Sequence, residues 1–189
     1  MTKRIALTLL LALPLVSCGE GNFSPTGVQQ FDGPFRFTAD APPTDSAAVY
    51  IMQTAGTTQA MTLVIRATHL LRATGFVFDI AMDTTGLSID SVAFGDFFQP
   101  ATPVVARFAA APDEPGHWIG VLSMTDLTTG ISGSGTLATV YLQRTTDVPL
   151  KSEVHMKAGP TRVYGQAGAP QSVAFYGGSI VYEPLPATP

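Results

Sequence analysis

The side chains able to do chemistry in this chain are three histidines, scattered carboxylates and serines, a glycine-rich run and a single cysteine. His69, His117 and His155 stand in no HxH or HExxH spacing that would aim two ring nitrogens at one ion, so they read as surface or internally bonded histidines, and no metal site is expected. Asp79 and Asp83 fall on one face of an extended stretch, as a glycosidase pair would. Four residues of strand hold them roughly 13 Å apart, outside the roughly 5–9.5 Å over which such carboxylates cooperate. Ser123, Ser132 and Ser134 have no neighbouring histidine and no strand-elbow-helix context for a nucleophile. Asp126-Leu127-Thr128-Thr129-Gly130 could be read as a weak calcium loop, but an Asp-initiated turn is the better match.

Gly133, Gly135 and Ala138 satisfy the GxGxxA spacing of a dinucleotide fingerprint. That fingerprint opens a helix whose N-terminus faces a pyrophosphate. Here GISGSGTLATVYL continues as alternating β-branched and aromatic residues, so the glycines read as turn positions that supply positive φ. With no catalytic constellation and no cofactor motif, an enzyme is not expected.

The one cysteine has a different use. Lys3 and Arg4 precede an apolar run over residues 5–16 that is too short to span a bilayer, and the run closes on Leu15-Val16-Ser17-Cys18. That tetrapeptide resembles the bacterial lipobox, which implies cleavage before Cys18, lipidation of its thiol and attachment to the cell envelope, at the outer membrane where the cell has one. The alternative is an ordinary secretory leader with an incidental cysteine. Cleavage removes two of the ten basic residues and none of the fourteen acidic ones, leaving an acidic surface poorly suited to nucleic acid or to anionic lipid. Acyl chains, at roughly 0.8 kcal/mol per buried methylene, would do the anchoring.

These residues must be positioned by a β framework. At 189 residues, 46% hydrophobic and only 13% charged, with 18 glycines and 15 prolines, the chain has the size of one well-cored domain and the composition of an all-β protein. Residues 1–17 read as leader, 18–46 as a flexible tether in which PFRFTA could fold back as a strand, 47–183 as the domain, and 184–189 as a Pro-rich tail. Alternating segments are expected at 49–53, 61–68, 75–83, 87–94, 104–109, 117–124, 132–142, 153–158, 162–164 and 179–182, separated by Gly, Pro and Asp turns. The clearest is 75–83, which sets Phe76, Phe78, Ile80 and Met82 against Val77, Asp79, Ala81 and Asp83. The first set reads as core. The two aspartates are expected to be solvated or bonded at the edge of the sandwich.

In this order and spacing, GFVFDIAMD, PGHWIGVLS and GISGSGTLATVYL resemble the cohesin domain, over about residues 47–183. The resemblance implies a nine-stranded jelly-roll β-sandwich that binds calcium-loaded dockerin modules through one sheet face, with a distant kinship to cellulose-binding modules. A polysaccharide is therefore the alternative ligand, and an envelope lipoprotein without a specific ligand is a third reading.

Two local features bear on the choice. Trp118, the only tryptophan, could stack on a sugar or lie in the core. The strand over 132–142 carries Ala138, Val140 and Leu142 on one face, and Leu137, Thr139 and Tyr141 on the other. Leu137, Thr139 and Tyr141 read either as the partner-binding surface or as residues packed beneath another layer.

Overall fold

A computed structural model describes residues 31–40, 45–99, 104–110 and 116–185. The alternating segments become strands: β1 (Phe35–Ala39), β2 (Ala48–Gly56), β3 (Ala60–Ala73), β4 (Gly75–Met82), β5 (Leu87–Phe94), β6 (Val104–Ala110), β7 (His117–Met124), β8 (Ile131–Arg144), β9 (Leu150–Met156), β10 (Arg162–Tyr164), β11 (Ala174–Tyr176) and β12 (Gly178–Tyr182). They form two sheets. One runs β1-β12-β9-β4-β7-β6, with β10 also paired to β4, and the other runs β11-β2-β3-β8-β5. The fold is the expected all-β jelly-roll sandwich, with twelve strand segments among the described residues rather than nine.

The additional segments have physical reasons. PFRFTA does fold back, as β1 against β12. Phe35 and Phe37 enter the core, and the Phe37 N–H donates to Gln53 Oε1 at 2.8 Å, so this part of the expected tether belongs to the domain. The expected leader over residues 1–17 and Cys18 lie outside the described residues, as do residues 186–189 of the expected tail. β11 is not among the expected segments: it is three residues long and pairs in parallel with β2, a ladder that leaves no local pattern.

The core forms where the inner faces of the two sheets meet. Phe76, Phe78, Ile80 and Met82 are all buried, as expected from the alternation, and face Ile51, Leu63, Ile65 and Val140 within the same cluster. At roughly 1.5–3 kcal/mol for each fully buried large side chain, β4 alone contributes several kcal/mol. Phe78 stacks on Phe76 with ring centroids 5.3 Å apart and tilts against Phe108 at 5.9 Å. Its ring has room because the residue opposite it on β7 is Gly120, where an added Cβ would lie 2.0 Å from Phe78 Cζ.

β3 runs five residues past the expected Thr68, to Ala73, and the extension is irregular. Register shifts against β8 leave His69 and Arg72 with φ of 51° and 49°. Ser134 Oγ accepts the His69 N–H at 3.2 Å, and Ser132 Oγ accepts the Arg72 N–H at 2.9 Å. Two of the serines considered for chemistry thus bind backbone donors that the distorted ladder leaves without a strand partner.

Candidate interaction face

β8 does not divide its side chains as strict alternation requires. Ala138 pairs with Ile65 while Thr136 pairs with Arg66, so Leu137 is an extra residue with no counterpart on β3. A bulge of this kind breaks the two-residue period. Leu137 and its neighbour Ala138 both lie in the core, and Leu137 is 0% exposed. The expected Leu137–Thr139–Tyr141 surface is corrected accordingly, because Leu137 is core. Half-buried Thr139 and Tyr141, at 40% exposure, remain on the outer face of the five-stranded sheet.

Trp118 is corrected as well. It shares the inward parity of Gly120, Leu122 and Met124, packs against the core, and lies parallel to Phe108 with ring centroids 5.5 Å apart. It is not an exposed platform for a sugar.

The polar residues of β4 also differ from expectation. Asp79 is central rather than at an edge, and only 5% exposed. β9 pairs with the Ile80–Met82 part of β4 and β10 with the Gly75–Val77 part, so the backbone of Asp79 falls between two ladders. Thr161 Oγ1 accepts the Asp79 N–H at 3.1 Å, the Lys157 N–H donates to the Asp79 carbonyl at 2.8 Å, and the Asp79 carboxylate accepts from His117 Nδ1 at 3.2 Å. Asp83 is exposed beyond the end of the strand. The backbone N–H of Thr85, at 2.8 Å, and then its hydroxyl hold the Asp83 carboxyl below its ordinary value.

His69 lies on the five-stranded sheet, while His117 and His155 lie on the other, on opposite sides of Ala81. Among the described residues no group of three or more His, Cys, Asp or Glu could hold a metal ion. Asp126 makes the expected turn, its carboxylate accepting from the Thr128 hydroxyl at 2.6 Å, the Thr128 N–H at 2.8 Å and the Thr129 hydroxyl at 2.8 Å. Those donors, the Thr128 hydroxyl foremost, lower its pKa.

The opposite sheet also carries apolar residues on its outer face. Because Phe76, Phe78 and Ile80 point inward, Val77, Asp79 and Ala81 point out, and the same parity turns His117, Ile119, Val121 and Ser123 of β7 outward. On β6, Val105, Arg107 and Ala109 pair with Ser123, Val121 and Ile119. The outer face of β4, β7 and β6 therefore presents Val105 at 46% exposure and Ile119 at 39%, with half-buried Val121 between them and half-buried Val77 beside Val121 on β4. Where β4 and β7 meet Leu127 and Tyr164, a cleft of about 320 Å³ opens beside Gly75 and Ser123. Apolar residues on both faces of a strand, the criterion that singled out 132–142, were equally legible in HWIGVLSM and GFVFDIAM.

These features define a two-sheet sandwich that presents a partly apolar sheet face. No protein-family model matches the chain, and no curated protein matches it. Solved structures do. The second type II cohesin module of the ScaA scaffoldin of Acetivibrio cellulolyticus is 12% identical, with 78% of this chain and 93% of that one aligned at a TM-score of 0.58. A type II cohesin of Bacteroides cellulosolvens is 13% identical over 72% of this chain and 98% of its own, at 0.57. The sixth cohesin of scaffoldin B of Acetivibrio cellulolyticus, solved in complex with a dockerin, is 17% identical over 73% and 99%, at 0.56. The domain is cohesin-like in fold.

Proposed function

We propose that this chain is a cell-envelope lipoprotein whose cohesin-like domain is a non-catalytic receptor for a dockerin-type protein module, docked on the outer face of β4, β7 and β6. The observation that carries the reading is the apolar strip of Val105, Ile119, Val121 and Val77 on a sheet whose inner face is already a complete core. A strip that the domain does not need for its own packing is the signature of an interface. The fold supports the partner class, since cohesins of this fold have been solved in complex with dockerins. Lys3-Arg4, the apolar run and Leu15-Val16-Ser17-Cys18 support lipidation at Cys18 and display at the envelope, on the outer membrane where one is present.

The direct test is capture of the whole chain on immobilised, calcium-loaded dockerin modules. Ile119→Asp should abolish capture while leaving the circular dichroism spectrum unchanged, and a calcium chelator should release the bound chain. Undiminished capture of a folded Ile119→Asp protein would move the interface elsewhere. Fractionation tests the anchor: Cys18→Ser should shift the protein from membranes to the soluble fraction, and identical partitioning of the two proteins would refute lipidation at this cysteine.

A further inference from the structure

The register of four strands places four outward residues in one row across the proposed docking face. Arg162 of β10 pairs with Val77 of β4, Val77 with Val121 of β7, and Val121 with Arg107 of β6. With strands about 4.8 Å apart, the two arginine Cα atoms stand roughly 14 Å from each other with two valines between them. Both arginines are exposed, and neither makes an ion pair among the described residues. The other charged residue pointing outward from the described parts of β10, β4, β7 and β6 is Asp79, which is buried against His117. On β9 next to them, Lys151 and Glu153 pair with each other at 3.1 Å. A chain whose formal charge is −4 thus carries a positive charge on each side of the Val77–Val121 pair.

From this row, and resting on the docking face proposed above, we infer that Arg107 and Arg162 select the partner: an amphipathic helix with carboxylates on both sides of its apolar stripe. The dimensions fit. A helix with its side chains is about 10–12 Å across, so one laid along β4 and β7 lies between the arginines. Four helical residues rise about 6 Å, close to the two-residue repeat of a strand at roughly 6.6 Å, so apolar side chains at i and i+4 settle over the Val77–Val121 row and then over Ile119. Residues flanking that stripe project sideways toward the guanidiniums, as the e and g positions flank a and d in a coiled coil. Arginine suits the task because its planar fork grips a carboxylate through two parallel hydrogen bonds. The apolar floor between the arginines favours such a helix over an extended polyanion, which would leave the valines uncovered.

The test uses two synthetic helical peptides that share a Leu/Ala stripe, one flanked on both sides by Glu and one by Lys, with a random-coil poly-Glu peptide of equal charge as a third probe. Fluorescence anisotropy with the whole chain should show the Glu-flanked helix binding roughly tenfold more tightly than the Lys-flanked one at low salt, the effect of two surface ion pairs gained rather than opposed. The preference should shrink at about 0.5 M salt, where screening shortens the reach of exposed charges to a few ångströms. Arg107→Glu with Arg162→Glu, checked for unchanged circular dichroism, should invert it. Equal binding of the two helices, a preference that survives the double charge reversal, or poly-Glu binding as tightly as the Glu-flanked helix would each overturn the selection while leaving the docking face in place. If neither helix nor a calcium-loaded dockerin perturbs the amide resonances of Val77, Ile119 and Val121, the selection and the docking face both fall.

Discussion

Replacing Gly120 by alanine should destabilise the domain, although the same change at an unobstructed strand position would stabilise it. Gly120 is buried opposite Phe78 in the β4–β7 ladder, and a Cβ built there lies 2.0, 2.1 and 2.6 Å from three atoms of the Phe78 ring. Carbon atoms in contact prefer about 3.5–4.0 Å, so the ring must retreat by roughly 1.5 Å. Phe76 and Phe108, with centroids 5.3 and 5.9 Å from that ring, limit its retreat.

Overpacking of this kind costs about 1–3 kcal/mol, whereas restricting the unfolded chain by Gly→Ala returns about 0.4–1 kcal/mol, so the expected net loss is about 1–2 kcal/mol. Phe78→Ala alone should cost about 3–5 kcal/mol through the cavity it leaves. In the double variant the methyl introduced by Gly120→Ala occupies part of that cavity, so its contribution changes sign and the two costs fall short of additivity by about 1.5–3 kcal/mol. Urea denaturation of the four proteins, with m-values compared to exclude a change in the denatured state, measures the cycle. A stabilising Gly120→Ala, or strictly additive costs, would refute the packing described for this pair.

Two further substitutions test other parts of the structure. Leu137→Glu should destabilise the domain by about 3 kcal/mol or more, because it places a carboxylate in the core, while Tyr141→Ala on the exposed face should cost less than about 1 kcal/mol. Similar losses from the two would contradict the bulge in β8. The Asp126 carboxyl should titrate below its ordinary 3.8 because the Thr128 and Thr129 hydroxyls and N–H groups favour the ionised form. Its folded value lies below the unfolded one, so the stabilisation is full above the unfolded value and disappears as pH falls through the folded value. Carbon-13 NMR titration should show the midpoint rising toward 3.8 when Thr128 and Thr129 are both changed to valine, and an unmoved midpoint would remove the cause assigned to it.

The fold was legible wherever a strand obeys its own two-residue period. GFVFDIAMD identifies its buried face without reference to any other segment, because successive side chains of a strand must point to opposite sides of a sheet. The turn at Asp126 was equally local, since its carboxylate and the donors it accepts lie within four residues of chain. Leu137 escaped the pattern because a bulge is a mismatch between two strands, here β3 and β8, and the period of one strand alone gives no sign of it. The central position of Asp79 is not legible locally, because nothing in its own segment indicates that β9 and β10 share its strand, with Thr161 between them. The proposed face depends most on tertiary structure: Val77, Arg107, Val121 and Arg162 come from four separate segments and become one row only when their registers align. Local sequence decides which side of a strand a residue takes; long-range pairing decides which residues become its neighbours, and a binding surface is made of neighbours.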